Sequence, residues 1–428
     1  MPFVFILRLN KIDKIEVRVS PFKANFHIIT LNFLIRGTKV FGKTYLRPSS
    51  RNQLTVQPSR VLFNSNYKSS LMLMKKTTLH LLLLCFVTLA ASGIQAQDIH
   101  FSQFYQSPLN LNPAMTGVMN CNHRLVANYR NQWASILKNN AYNTYSASYD
   151  QKIPVGRYDY FGVGGTLWGD KAGSSEFATT QLRGSGSYAK KMGGYRKKAH
   201  YLVLGADLGV SNRSINVGNL RWPSQNNGNG QYDETKPQEL IDDPSFIFMD
   251  LSAGALWFSV LSPDANFYFG GAFNHLNRAN QSFDRDDQTG DRISIPLYSK
   301  FTFHAGGEFM VAQKFGLSPG VVTFFQGPSW QVNVGNSFKF LLGNSRRSSQ
   351  AFQFGLWARM ANRLSDGKLL DAVIASTRFD YEQFTIGFSY DINTSSLNPA
   401  TNGNGAFEFS MVYKICGPER RGVYCPNF

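Results

Sequence analysis

Charge is scarce in this chain. Only 17% of its 428 residues are Asp, Glu, Lys or Arg, and it holds just seven His and four Cys. A water-facing surface is usually richer in charge than that, and a small disulfide scaffold is richer in cysteine. The sequence has no G-x-S-x-G elbow, no H-E-x-x-H, no phosphate loop and no dinucleotide glycine fingerprint. Gly162-Val163-Gly164-Gly165 sits inside an alternating pattern and reads as close strand packing. The carboxylate pairs Asp242-Asp243 and Asp286-Asp287 fall in polar stretches, where solvation suits them better than acid/base work. No residue is nominated as catalytic, cofactor-binding or metal-ligating, and the expectation is of a protein that is not an enzyme. Beyond residue 96 no apolar run approaches the roughly 20 residues of a transmembrane helix.

The formal charge of +17 suggests an acidic partner until its distribution is examined. Residues 1–73 carry 12 Lys and Arg against Asp13 and Glu16, and Lys75 and Lys76 follow. The rest of the chain holds 30 basic and 25 acidic residues, a net +5 that argues against a nucleic-acid partner.

Residues 1–73 show no sustained period and are read as a structureless extension preceding the physiological start at Met74. Met74-Lys75-Lys76 opens a positive n-region, an apolar run follows from Leu79, and a cleavage site follows Ala96. Residues 74–96 are thus expected to be a secretory signal peptide, with a mature protein beginning at Gln97. Cys85 lies within the apolar run, followed by Phe86, and does not resemble a lipoprotein acceptor. Of the three cysteines left after cleavage, Cys416 and Cys425 could close a short loop, leaving Cys121 as a packed small residue.

From Arg124 the sequence alternates with period two. Phe407, Phe409, Met411, Tyr413 and Ile415 fall on one face, with Glu408, Ser410, Val412 and Lys414 on the other. Phe352, Phe354, Leu356, Ala358 and Met360 oppose Gln353, Gly355, Trp357 and Arg359. Trp330, Val332, Val334, Phe338 and Phe340 share an apolar face whose one polar intruder is Asn336. With aromatics at 14% and charge at 17%, the apolar face is better placed against lipid and the small, polar face in a lumen. The fold class expected is all-β: a transmembrane antiparallel β-barrel of the outer-membrane type. About 14 strands are expected between residues 124 and 416. Residues 97–123 would precede it as a segment that plugs the lumen or pins the first strand, and 417–428 would follow as a tail. The polar stretches 213–245 and 276–296 are the longest connections and belong outside the cell.

Both ends of this region carry specific motifs. The first is Phe101-Ser102-Gln103-Phe104-Tyr105, Pro108 to Ala114 with Asn112-Pro113, Gly117, Arg124, Tyr129-Arg130-Asn131-Gln132-Trp133 and Tyr149-Asp150. The second is Tyr390-Asp391-Ile392-Asn393, then Glu408 and the closing Cys425-Pro426-Asn427-Phe428. Together they resemble the PorP/SprF family of type IX secretion system membrane proteins. Asn427 stands where a basic residue is more usual. The resemblance implies an outer-membrane barrel that supports secretion or surface display of adhesins. Its implied partners are periplasmic ring lipoproteins, exported adhesin sorting domains and outer-membrane lipid, with no cofactor. The residues it nominates are Phe101, Gln103, Pro108, Asn112, Pro113, Gly117, Arg124, Tyr129, Arg130, Trp133, Tyr390, Asp391, Asn393, Cys425, Pro426 and Phe428. The competing function is a passive diffusion channel, which would need a wet, unplugged lumen.

Overall fold

The structure, a computed structural model, describes residues 29–35, 38–44 and 98–428, apart from 195–197, 230, 234, 237–240, 287, 344–349, 363–368, 418–424 and 426–428. The signal segment, Pro426 and Phe428 lie outside the described residues. Two units are described separately. In the first, β1 (Ile29–Ile35) pairs antiparallel with β2 (Thr38–Thr44). This corrects the expectation of a structureless extension at these positions. Ile29-Thr30-Leu31-Asn32-Phe33 is a short β-prone alternation, too brief to stand out as a period by itself.

The second unit is a closed antiparallel barrel of fourteen strands. They are β3 (His123–Gln132), β4 (Tyr142–Val155), β5 (Asp159–Ala172), β6 (Phe177–Gly193), β7 (Ala199–Ser214), β8 (Ser245–Ser262), β9 (Ala265–Asn274), β10 (Lys300–Met310), β11 (Phe315–Gln326), β12 (Ser329–Leu341), β13 (Gln350–Ala361), β14 (Leu370–Tyr381), β15 (Phe384–Asn393) and β16 (Asn404–Ile415). Consecutive strands pair throughout, and β16 closes on β3 in the register Ile415↔His123 to Ala406↔Gln132. Full closure leaves no unpaired edge, which is what hydrocarbon demands of a spanning sheet.

Alternation places the faces as expected. Phe352, Phe354, Leu356, Phe407 and Met411 are exposed on the outside, while Gln353, Arg359, Glu408 and Ser410 are buried within. The connections 215–244 and 275–299 lie at one end, together with 133–141 and 394–403. The turns 156–158, 263–264 and 382–383 lie at the other, where β3 starts and β16 ends. By the usual asymmetry of such barrels, the long connections mark the outer mouth and the short turns the periplasmic mouth.

The lumen is less polar than alternation alone suggests. Tyr160, Tyr201, Leu256, Phe258 and Ile374 point inward and are completely or almost completely buried. They join Leu111, Ala114, Met115 and Val118 in one apolar cluster. The inner wall is apolar there because it packs against another part of the same chain.

The expected pairing of Cys416 with Cys425 is corrected. Cys121 and Cys416 form the disulfide, with Cα atoms 4.2 Å apart. Closure of β16 on β3 brings the start of one strand beside the end of the other, and Asn122 N–H donates to Ile415 O at 3.0 Å. Sequence spacing favours the local pair because it carries no trace of a seam between residues 295 positions apart. Cys425 is a buried free thiol, with its N–H bonded to Asn120 Oδ1 at 2.8 Å and its sulfur 3.8 Å from the Tyr160 hydroxyl. Cys425 therefore lies in the lumen near the periplasmic mouth.

Candidate functional site: an anchored plug in the lumen

Residues 98–122 run through the barrel from the outer mouth to the periplasmic mouth. They form a chain of short turns rather than a long helix: Phe104–Gln106, Pro108–Leu111 and Pro113–Met115. Pro108 and Pro113 each occupy the first position of a turn, where the missing N–H costs nothing. Pro113 also keeps Asn112 extended, at φ −160° and ψ 123°. Lacking long-range regular structure, the segment is held by side chains of the wall, at four levels.

At the outer mouth Asp98 pairs with His275 Nε2, while His275 Nδ1 lies 2.9 Å from Asp250 Oδ1. Burial works against protonating His275, but the flanking Asp98 and Asp250 carboxylates overcome it and hold the imidazole up at about 9. Burial likewise opposes the charge on Asp98, yet His275 and Lys300 hold its carboxyl well below the usual range. Both groups therefore stay charged at neutral pH.

One level down is a buried network of four charges. Glu408 accepts the Gln103 N–H at 2.9 Å and the Ser102 N–H at 2.6 Å, and it pairs with Arg130. Arg130 also meets Asp391 at 3.1 Å, and Arg359 meets the same carboxylate at 2.6 Å. The Ser102 hydroxyl donates to Asp391 at 2.8 Å and accepts from Arg130 at 2.7 Å. Two cations and two anions, contributed by β3, β13, β15 and β16, thus close around one backbone turn. Such a set is stable only when complete.

At mid-height Asn112 is completely buried. Its Oδ1 accepts from Ala114 N–H at 2.9 Å, and its Nδ2 reaches Ala255 O at 3.1 Å and Gly271 O at 3.2 Å on β8 and β9. His304 Nε2 of β10 lies 3.0 Å from the same amide. An aspartate could not donate these bonds, so the site calls for a carboxamide.

Near the periplasmic mouth Arg124 binds Asp150 with two nitrogens, at 3.0 and 2.8 Å, and donates to Met115 O at 3.1 Å. Asp150 Oδ2 also accepts the Gly117 N–H at 2.7 Å. Gly117 has φ +72°, and a Cβ there would stand 2.6 Å from the Cα of Gly162. Glycine is required by both conformation and space. Lys152 Nζ completes this level on Met119 O at 2.7 Å.

The nominated residues thus divide by face. Phe101, Gln103, Pro108, Asn112, Pro113, Gly117, Arg124, Arg130, Asp391 and Cys425 converge in the lumen. Tyr129 and Tyr390 point outward, where their hydroxyls donate to Asn143 at 2.8 Å and Asn404 at 2.7 Å. Trp133 sits at the outer rim against Tyr142, and Asn393 caps the β15–β16 connection through Ser395 and Thr401. Sequence reading passed over Asp98 and His275, placed Arg359 only on the polar face of a strand, and named Asp150 and Glu408 only as motif letters. For Arg359 and Glu408 the available signal was a charged side chain at a lumen position of an otherwise apolar-alternating strand. Among the described residues no group of three or more His, Cys, Asp and Glu could hold a metal ion.

Residues 94–413 match the family described as type IX secretion system membrane protein PorP/SprF. The chain belongs to the PorP/SprF family. It is therefore an outer-membrane β-barrel linked to the type IX secretion system, and family and fold point to a secretion or channel barrel rather than an enzyme. No curated protein matches it. Solved structures similar to this PorP/SprF barrel include the Ralstonia pickettii toluene transporter TbuX, at 12% identity and a TM-score of 0.41. That match covers 73% of this chain and 94% of the other. The P. putida toluene transporter TodX matches at 9% identity and a TM-score of 0.36, covering 72% and 93%. Likeness at this level says nothing of what passes through or binds to this chain.

Proposed function

We propose that this barrel supports secretion or surface display of adhesins by binding, at its two mouths, exported sorting domains and the periplasmic ring lipoproteins of the secretion system. The observation that carries the reading is the anchored plug. A lumen threaded by residues 98–122 and held at four levels supports this reading over a passive channel, which would need a wet, unplugged lumen. Recognition then falls to the rims: the connections 215–244 and 275–299 outside, and the short turns and C-terminal tail inside. Asn112 and Pro113 are buried, so their replacement acts on a partner only through the shape of the plug. Processing belongs to the same proposal: a mature end at Gln97 places the cleaved terminus one residue before the Asp98 anchor.

Deletion of the gene tests this. The expected result is loss of surface display of one or a few adhesins, with small-solute permeability unchanged and recovery of a sorting domain or ring lipoprotein from detergent extracts of the tagged wild type. Normal display together with loss of solute uptake would replace the proposal with the channel.

A further inference from the structure

Positive charge at the periplasmic mouth is gathered in one sector of the wall. The turns 156–158 and 194–198, with the strand ends they join, carry Arg157, Lys190, Lys191 and Lys198, and Asp159 is the carboxylate among them. The turns 263–264, 311–314 and 382–383 of the same mouth carry Asp264, Lys314 and Glu382 and have no such excess. Within the cluster the Tyr158 ring meets two cations, with Lys191 Nζ 4.0 Å and Arg157 Cζ 5.3 Å from its centroid. Tyr201 holds the turn in place, its hydroxyl donating to Tyr158 O at 2.9 Å. Asp159 is shared among several donors. It accepts from the Tyr188 hydroxyl at 3.0 Å and the Lys191 N–H at 2.9 Å, and it stands 3.8 Å from Lys190 Nζ. One carboxylate leaves a local excess of positive charge, and Arg157, Lys190 and Lys198 are exposed, where an added anion can reach them.

The height of these groups on the wall identifies the anion. On the outer face of β6, Tyr188 is followed two residues later by Lys190, roughly 7 Å further along the strand. Tyr188 packs on Phe161 of β5, its register partner, with ring centroids 4.9 Å apart. Across β7 the register runs Lys190↔Leu202 and Leu202↔Trp257, so Trp257 of β8 shares a row and a face with the lysine. Aromatic side chains of this kind mark the interface between membrane and water, and basic side chains just beyond them meet lipid head groups. A periplasmic protein would approach from below the rim, whereas Lys190 leaves the barrel sideways, from the lipid face.

We infer that this sector binds the phosphate of an anionic glycerophospholipid in the periplasmic leaflet. Lys190 meets the phosphate from the lipid face, Arg157 and Lys198 meet it from the turns, and Lys191, held on Tyr158, adds charge behind them. The acyl chains lie on Phe161, Tyr188 and Leu204, the last paired in register with Tyr188 and exposed on the same face. The site lies on the outside of the wall, apart from the plug and from the protein recognition proposed above.

The test uses the purified protein in uncharged detergent, equilibrated with equal amounts of phosphatidylglycerol and phosphatidylcholine of the same acyl chains. Native mass spectrometry counts the lipid retained by each barrel. The intact protein is expected to retain phosphatidylglycerol in preference to phosphatidylcholine. That preference should fall roughly tenfold when Arg157→Gln, Lys190→Gln and Lys191→Gln are combined. Lys138→Gln, Lys171→Gln and Lys314→Gln together remove as much charge from exposed positions elsewhere and should leave it unchanged. The heat-resistant folded band on semi-native gels shows that each variant is a barrel, and Lys190→Glu alone serves should the first combination lose that band. Equal retention of the two lipids by the intact protein, or an equal loss of preference in both combinations, would overturn the site. Capture of polyglutamate by the intact protein with no preference between the lipids would also overturn it, and would assign the cluster to an acidic protein surface.

Discussion

On β16, Phe407 and Phe409 face lipid, while Glu408 between them holds two backbone amides of the plug and the Arg130 guanidinium. The same strand thus serves two solvents. Outward, the requirement is only that a residue be apolar, and Leu, Ile, Val, Phe and Tyr are interchanged freely around the barrel. Inward, the requirement is a particular group at a particular height: a carboxylate at Glu408, a carboxamide at Asn112, no side chain at Gly117. Nonspecific burial selects for a class of residue, whereas a buried polar contact selects for one.

The largest effect is expected from breaking an inner contact. Glu408→Leu leaves Arg130 short of a partner and strands the Ser102 and Gln103 amides, costing roughly 3–5 kcal/mol. Loss of the heat-resistant folded species on semi-native gels, relative to wild type, measures it. Next comes the seam. Cys121→Ser removes a cross-link between residues 295 positions apart and should cost roughly 2–5 kcal/mol, read as a lower urea midpoint under oxidising conditions only. Equal midpoints with and without reductant in the wild type would contradict that role.

An outward change is expected to cost less and to be indifferent to what it replaces. Phe354→Arg or Phe409→Arg, if near the bilayer midplane, should destabilise by roughly 2–4 kcal/mol. Phe354→Leu, which keeps the class of residue, should cost little, whereas Gln353→Leu, one residue away but facing the lumen, removes the bond its Nε2 donates to Asp380 at 3.0 Å and should cost more. Similar losses on both faces would erase the distinction drawn on β16. The smallest effect is a pH dependence at the outer mouth. Because the folded-state pKa of His275 is raised, its contribution is complete below its ordinary value near 6.5 and is lost as pH rises through about 9. Asp98 acts in the opposite sense: its lowered pKa gives stability that is present above the ordinary carboxylate range. Amide exchange near residues 98–103 should therefore speed up above pH 9 beyond its intrinsic rise, and His275→Gln should abolish that extra step.

The same division explains what was legible in the sequence. The fourteen strands follow from alternation, a local signal that repeats within each strand. The alternating run Phe407 to Ile415 falls inside β16, Asn404–Ile415. The anchors were not legible as a set because each joins residues far apart in sequence. Ser102 and Glu408 are separated by 306 positions, and no period links them. The disulfide failed to be read for the same reason. Motif letters such as Asn112, Gly117, Asp150 and Asp391 could be singled out, but their common purpose became visible only when closure of the barrel brought four levels of wall onto one segment.

Whether that segment really fills the lumen is tested most directly by single-channel conductance of the mature protein in a planar bilayer. The intact barrel is expected to show no steady pore current, and a variant lacking residues 98–122 or carrying Glu408→Leu with Asp391→Leu is expected to gain large, frequent conductance steps. A steady open-pore conductance from the intact protein, unchanged by those alterations, would contradict the anchored plug.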